Sequence, residues 1–198
     1  MPRLFLLSPA SSTGRRAQIL LRPEASFPLA VALRSREGAA IGDVFAFLSG
    51  LYFRGKLTYA RAFCPEHAYV ITPCQGLYTL EQRVTRETIE AFAAVDIHHE
   101  DERYRAPLLR DAHDLDEATG HASDAVLLGS IASKKYVEVL GGVFGSRLLF
   151  PEAFVGRGDM SRGGLLLRAA RQNTELGYVP VLEATRRGKR PPKLAPVR

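Results

Sequence analysis

The stretch that decides the fold is Ala125-Val126-Leu127-Leu128-Gly129-Ser130, in which four apolar residues lead into Gly-Ser. A short apolar run of this kind is typical of a strand that is buried on both faces of a sheet. Residues 133–141 then have the spacing of a helix. Runs of strand length also lie on either side of this stretch, at residues 3–8, 68–72, 147–150 and 178–182.

Helices are predicted between these strands. Apolar residues recur at helical spacing in three segments, 42–63, 85–94 and 161–176. Residues 96–124 are acidic and predict a loop with a short helix. Because strands and helices alternate, we expect an α/β three-layer sandwich with a largely parallel central sheet, formed as a single domain by residues 1–184.

Length and composition limit the class of protein. A chain of 198 residues fits one domain, and its 46% hydrophobic and 24% charged residues argue against disordered and fibrous classes. No apolar run reaches the roughly 20 residues of a membrane span, and the chain does not begin with a secretory signal. Cys64 and Cys74 match neither a disulfide framework nor a zinc-ligand spacing. We therefore expect a soluble, cytoplasmic monomer without a membrane partner.

The positive charge is concentrated at the C-terminus. The net charge is +6, and residues 185–198 contain six basic side chains and no acidic one, so the rest of the chain is balanced. This tail is rich in proline and poor in apolar residues, which predicts disorder. It is either a solubilising end or an arm that binds phosphates without sequence preference.

Four loops are expected to meet at one edge of the sheet, where the parallel strands have their carboxyl ends. These loops are 8–16, 72–78, 129–135 and 151–164, and this edge is the usual ligand site of open α/β sheets. In the first loop, Ser11 and Ser12 with Arg15 and Arg16 can bind a phosphate or a base oxygen. The alternative is a turn followed by two solvated charges.

Several segments resemble the uracil-DNA glycosylase superfamily. Three segments of this chain are similar to the second half of that superfamily's sequences. They are Val126-Leu127-Leu128-Gly129-Ser130-Ile131-Ala132-Ser133-Lys134-Lys135-Tyr136, the strand end Leu149-Phe150-Pro151 and the loop Asp159-Met160-Ser161-Arg162-Gly163-Gly164. Residues 50–57 and 69–77 resemble a poorly characterised bacterial branch of the same fold, related to the lyase domain of archaeosine synthases. The resemblance extends over residues 1–182.

This resemblance implies a uracil-DNA-glycosylase-like fold and a protein that recognises a flipped or modified base and cleaves its N-glycosidic bond. We accordingly expect DNA or RNA as its partner and no cofactor. The best-known members have a catalytic histidine before the proline, where this chain has Phe150 before Pro151. The first loop, residues 8–16, also contains no acidic residue to position a water molecule.

Two carboxylates are candidates for the catalytic group. Cleavage of an N-glycosidic bond requires stabilisation of a sugar with oxocarbenium character, for which a carboxylate is suited. Asp159 lies in the loop that would enter the minor groove, and Glu81 follows the second loop. The alternatives are an exposed acid for Glu81 and a loop acid paired with Arg157 or Arg162 for Asp159.

Other side chains are candidates for binding the base and the nucleic-acid backbone. The Gln75 amide can read a base edge, and Tyr78 or Tyr52 can stack on a flipped base, although a turn cap and core packing are the alternatives. Contacts to the nucleic-acid backbone are expected from the loop 151–164, the helix 161–176 and the start of the helix 133–141. The residues are Arg157, Ser161, Arg162, Arg168, Arg171 and Lys134.

Metal and cofactor sites are not expected. The acidic segment holds His98, His99, His113 and His121, but no pair has the His-x3-His spacing of a helical metal site, so a solvated loop is the better interpretation. The chain also lacks the glycine fingerprint for dinucleotides, the P-loop lysine and the nucleophile elbow of serine hydrolases. The alternatives to a glycosylase are a non-catalytic nucleic-acid-binding module of the same fold and an enzyme for free nucleobases or nucleotides.

Overall fold

The structure is a computed structural model that describes residues 3–185, 188, 189, 191, 192 and 194. Most of the basic tail predicted to be disordered lies outside the described residues. The strands are β1 (Arg3–Leu7), β2 (Ala39–Ala40), β3 (Ala68–Ile71), β4 (Leu77–Thr79), β5 (Arg83–Val84), β6 (Asp124–Leu128), β7 (Leu148–Pro151) and β8 (Tyr178–Pro180).

Helices connect most of these strands. The α-helices are α1 (Arg15–Leu20), α2 (Pro28–Arg34), α3 (Ile41–Ser49), α4 (Leu51–Phe63), α5 (Arg86–Ala93), α6 (Glu102–Ala118), α7 (Lys134–Phe144) and α8 (Asp159–Arg171). Within the part of the chain that the structure describes, no helix combines the length and the hydrophobicity needed to cross a bilayer.

The central sheet is mostly parallel. Its six strands have the order β4-β3-β1-β6-β7-β8, in which the four inner strands are parallel and both edge strands are antiparallel to their neighbours. Strands β1 and β6 lie at the centre with Leu6 opposite Leu127, and residues 4–7 and 125–128 are buried on both faces. The predicted α/β class and the largely parallel sheet are therefore confirmed, and the arrangement is compatible with a three-layer sandwich.

Helices α4 and α8 cross at an unusually close distance because each has a glycine at the contact. A Cβ atom on Gly55 would lie 2.6 Å from the Gly163 carbonyl oxygen, and a Cβ atom on Gly163 would lie 2.6 Å from the Leu51 carbonyl oxygen. Only glycine allows this approach. The crossing fixes the position of the first turn of α8, where Asp159 lies.

The prediction for residues 96–124 is wrong. A 17-residue helix, α6, occupies most of this segment, and Asp101 caps it by accepting a hydrogen bond from the Arg103 backbone N–H. The buried residues recur every fourth position: Tyr104, Leu108, Ala112 and Asp116. The charges lie largely on the opposite face, where water solvates them, so the high acidity of the segment does not prevent helix formation.

Asp116 is a buried carboxylate with three hydrogen bonds from charged or titratable side chains. Arg147 donates two of them, at 2.6 and 3.0 Å, and His121 Nδ1 lies 2.8 Å from the second carboxylate oxygen. The Arg147 guanidinium holds the pKa of Asp116 below its usual value. This network joins the end of α6 to the start of β7, and His121 has a structural role in it.

Other boundaries also differ from the prediction. Residues 77–79 form the antiparallel strand β4 rather than a loop, because Thr72 turns the chain by bonding Gly76. Helix α8 begins at Asp159 and ends at Arg171, earlier than predicted at both ends. Described residues of the tail lie against the loop before α8, where a Cβ atom on Gly156 would clash with the Lys189 carbonyl oxygen.

Candidate functional site

A cleft with two lobes opens at the carboxyl edge of the sheet. The smaller one, the Asp159 lobe, has a volume of about 290 Å³ and is lined by Ser8, Tyr52 and Ser130 as well as Asp159. The larger one, the Ser12 lobe, measures about 580 Å³. The two lobes share walls formed by Pro9, Ala10, Ser11, Lys135 and Tyr136. The loop after β1 and the start of α7 thus form the boundary between the two lobes.

Asp159 is an exposed carboxylate at the mouth of its lobe. It is the first residue of α8, where the helix dipole stabilises a negative charge. Among the described residues it forms no ion pair with Arg157 or Arg162, because Arg157 donates to Ser161 Oγ and the Ala153 carbonyl, and Arg162 donates to the Phe154 carbonyl. The carboxylate therefore remains available to a ligand.

Two buried tyrosines form the aromatic wall of the Asp159 lobe. Burial raises the pKa of Tyr52 to about 12 and also raises the pKa of Tyr136, so both phenols are neutral at physiological pH. The Tyr52 hydroxyl has no hydrogen bond of good geometry among the described residues, although the nearby Arg162 opposes the rise in its pKa. The Tyr52 hydroxyl is thus enclosed by the protein beside Arg162.

Lys56 is the residue that sequence reasoning missed. It is only 1% exposed, and its Nζ donates hydrogen bonds to Ser8 O at 2.5 Å and Ser8 Oγ at 2.9 Å. Burial lowers the pKa of Lys56 to about 7, although the charge of Asp159 opposes this change. The available signal was its position four residues after Tyr52 on a helix, which places both on the same buried face.

The first loop contributes one of its two predicted serines as an unsatisfied group. Ser12 lines the larger lobe, and its buried Oγ has no hydrogen-bond partner among the described residues. Ser11 lines both lobes, and its Oγ lies 3.2 Å from the Thr13 hydroxyl. Arg15 and Arg16 are exposed on α1, and Arg16 donates to the Phe47 carbonyl at 3.0 Å.

Gln75 and Tyr78 do not line either lobe. The Tyr78 hydroxyl in β4 donates a hydrogen bond to Oε1 of Gln75 in the preceding turn, so the two side chains satisfy each other. Cys74 nearby is partly buried. The predicted base-binding role of Gln75 and Tyr78 thus has no support from their position, whereas Tyr52 does line the site.

The structure separates Glu81 from Asp159. Strand β4 runs antiparallel to β3, so the chain returns to the amino ends of the parallel strands before it reaches Glu81. There, Glu81 pairs with Arg61 at 2.7 Å and is exposed. Sequence reasoning predicted a loop over residues 72–78 with Glu81 after it, and gave an exposed acid as the alternative to a catalytic role. The position of Glu81 agrees with that alternative.

The predicted backbone-binding residues are spread along the start of α7 and the length of α8. Lys134 forms an ion pair with Glu138 at 2.8 Å, and it is the neighbouring Lys135 that lines both lobes. Ser161 and Arg162 lie in the first turn of α8 beside Asp159, with Arg157 just before that helix. Arg168 and Arg171 belong to its last turn.

The described residues include no group of three or more His, Cys, Asp or Glu side chains arranged to hold a metal ion. His99, for example, lies in the turn before α6, 3.3 Å from Glu138 on α7. Comparison with protein families, curated proteins and solved structures returns no match for this chain.

Proposed function

We propose that this protein processes bases in nucleic acid, as a DNA-glycosylase-like hydrolase with a uracil-DNA-glycosylase-like fold. The observation that carries the proposal is the Asp159 lobe, in which a carboxylate without an ion-pair partner among the described residues faces two buried tyrosine rings at the carboxyl edge of the sheet. A carboxylate and a nearby cation are suited to stabilise the charges that develop in N-glycosidic cleavage, and flat rings are suited to hold a flipped base.

Each group has a distinct role in this reaction. The Asp159 carboxylate stabilises the positive charge that develops on the sugar, and orients the attacking water molecule. The rings of Tyr52 and Tyr136 exclude water from the side of the base. Lys135, whose Nζ lies 5.2 Å from the centre of the Tyr136 ring, supplies positive charge to a phosphate or to the departing base.

The role of Asp159 can be tested by base release. End-labelled single- and double-stranded DNA containing uracil, hypoxanthine, alkylated or hypermodified bases is incubated with the protein and then cleaved with alkali. We expect Asp159→Asn to lower the rate of base release by about 100-fold or more, because the sugar cation loses its counter-charge. Its binding to the same DNA should remain within about twofold of wild type.

Glu81→Gln is the matched control for this experiment. It removes one carboxylate from the opposite edge of the sheet, where Glu81 pairs only with exposed Arg61, and should leave base release unchanged. No release from any substrate by the wild-type protein would contradict the proposed activity. Salt-sensitive DNA binding in that case would favour the non-catalytic module.

The basic tail provides a second prediction, which separates nucleic acid from small-molecule substrates. We expect duplex DNA binding to weaken steeply with salt. In a variant without the basic side chains of the tail, the slope of log K against log salt concentration should become less steep by about 0.9 for each phosphate that the tail no longer neutralises. Replacing the tail arginines and lysines with glutamine, rather than truncating the chain, preserves the backbone of Lys189 against Gly156. An unchanged slope in this variant would contradict binding through the tail, and salt-independent activity would favour a free nucleobase or nucleotide as substrate.

A further inference from the structure

Lys56 combines features that a purely structural lysine does not need. It is fully buried on α4, and among the described residues no carboxylate lies within ion-pairing distance of it. The rings of Tyr52 and Phe53 lie 4.5 and 4.7 Å from its Nζ. Burying a lysine without an ionic partner disfavours folding when the amine is charged, so its presence behind the cleft calls for another explanation.

Ser8 connects this buried amine to the cleft. Its Oγ accepts a hydrogen bond from Lys56 Nζ at 2.9 Å, and its own hydroxyl donates to the Leu128 carbonyl over a long distance of 3.3 Å. Ser8 also lines the Asp159 lobe. The hydroxyl can therefore exchange its weak bond to Leu128 for a bond to a ligand in the lobe while it keeps the bond from Lys56.

We propose that Lys56 and Ser8 form a proton relay that protonates the departing base, with Ser8 as the group that touches the base and Lys56 acting through it. This proposal rests on the proposed function. It supplies the acid that Asp159 does not.

The step balances as an ordinary hydrolysis. The C1′–N bond breaks and its electron pair leaves with the base, which receives the Ser8 hydroxyl proton while Lys56 donates a proton to Ser8 Oγ. Water adds to C1′ and gives a proton to Asp159. After release of the base, Asp159 loses that proton to solvent and Lys56 regains one, so both groups return to their starting state.

The pH dependence of the relay follows from the groups around Lys56. Burial lowers the pKa of Lys56 to about 7. The negative charge of Asp159 on α8 opposes this lowering, and the positive charge of Arg162 on the same helix lowers the pKa further. Tyr52 on α4 and Tyr136 on α7 are neutral because burial raises both pKa values. Since the relay needs the charged amine, base release should fall as the pH rises through about 7.

The first test is the pH profile of base release for wild type, Lys56→Met, Ser8→Ala and the control Arg54→Met. The control removes a cation from the exposed face of the same helix. We expect wild type and Arg54→Met to lose activity about tenfold per pH unit above pH 7. Lys56→Met and Ser8→Ala should be about 10- to 100-fold slower at pH 6.5 and nearly independent of pH up to 9.

The outcomes separate this relay from the proposed function. Wild-type protein that releases no base overturns both. Base release by Lys56→Met with the wild-type profile overturns the relay alone, and so does a wild-type profile in Ser8→Ala.

A second measurement requires neither activity nor a variant of Lys56. The titration of the Lys56 amine is followed by ¹⁵N NMR in wild-type protein and in Asp159→Asn. We expect a midpoint near pH 7 that moves lower in Asp159→Asn, because the carboxylate favours the charged amine. A midpoint near the ordinary value for lysine, or one that does not respond to Asp159→Asn, would overturn the relay.

Discussion

Replacing Lys56 with methionine is expected to raise the melting temperature at pH 6 by about 4–8 °C, equivalent to about 2 kcal/mol for a domain of this size. Methionine has a similar length and carries no charge, so it removes the cost of burying an ammonium group among the rings of Tyr52 and Phe53. The loss of two hydrogen bonds to Ser8 offsets part of this gain.

The gain should depend on pH with a definite sign. Lys56 has a pKa of about 7 in the folded protein and an ordinary value of 10.5 in the unfolded chain, so between these values the folded state binds fewer protons. Wild-type stability therefore rises with pH across this window. Below pH 7 the amine is charged in both states, and the cost of burial applies in full. The advantage of Lys56→Met is thus largest below pH 7 and shrinks toward pH 10.

Calorimetry at pH 6, 8 and 9.5 measures this effect directly. Arg54→Met is the matched control, since it removes an exposed cation from the same helix and should change the melting temperature by the same small amount at each pH. A Lys56→Met variant that is less stable than wild type at every pH would show that the buried amine contributes net stability through its bonds to Ser8.

Gly163→Ala is expected to lower the melting temperature by about 6–12 °C, or about 3 kcal/mol. The added Cβ atom would lie 2.6 Å from the Leu51 carbonyl oxygen and 2.8 Å from Tyr52 Cα, both of which are backbone atoms of α4. These atoms cannot move without shifting a helix. The variant must therefore separate α4 from α8, and it should also lower base release because Asp159 begins α8.

Gly141→Ala serves as the control for this prediction. Gly141 also lies within a helix, α7, but a methyl group added there would meet no described atom within 4 Å outside its own helical turn. Alanine should therefore stabilise the protein by about 0.5–1 kcal/mol through its higher helix propensity. Equal melting temperatures for Gly163→Ala and wild type would contradict the close helix crossing.

Patterns of local sequence accounted for the central sheet. The apolar runs that form β1 and β6 are buried on both faces, which is typical of parallel strands. The helical segments between such runs supply the crossover connections that parallel pairing needs. The loops after β1 and β6 lie at one edge for the same reason, and Ser11, Tyr52 and Asp159 do line the cleft.

Local patterns failed where the result depends on distant contacts. Helix α6 was missed because its acidic composition hid a buried stripe with Tyr104 and Leu108, whose burial requires α7. The position of Glu81 did not follow from the sequence, because the direction of β4 depends on how Thr72 and Gly76 close the turn before it.

The sequence by itself therefore determined the α/β class, the parallel strands and the edge at which their loops meet, because apolar periodicity and chain connectivity are local properties. Only the tertiary structure decided which polar residues share the cleft. Lys56 and Ser8 are 48 positions apart, and the charge that opposes the change in the pKa of Lys56 comes from Asp159 on another helix. Burial and electrostatic surroundings arise from such long-range packing, which no short segment of sequence specifies.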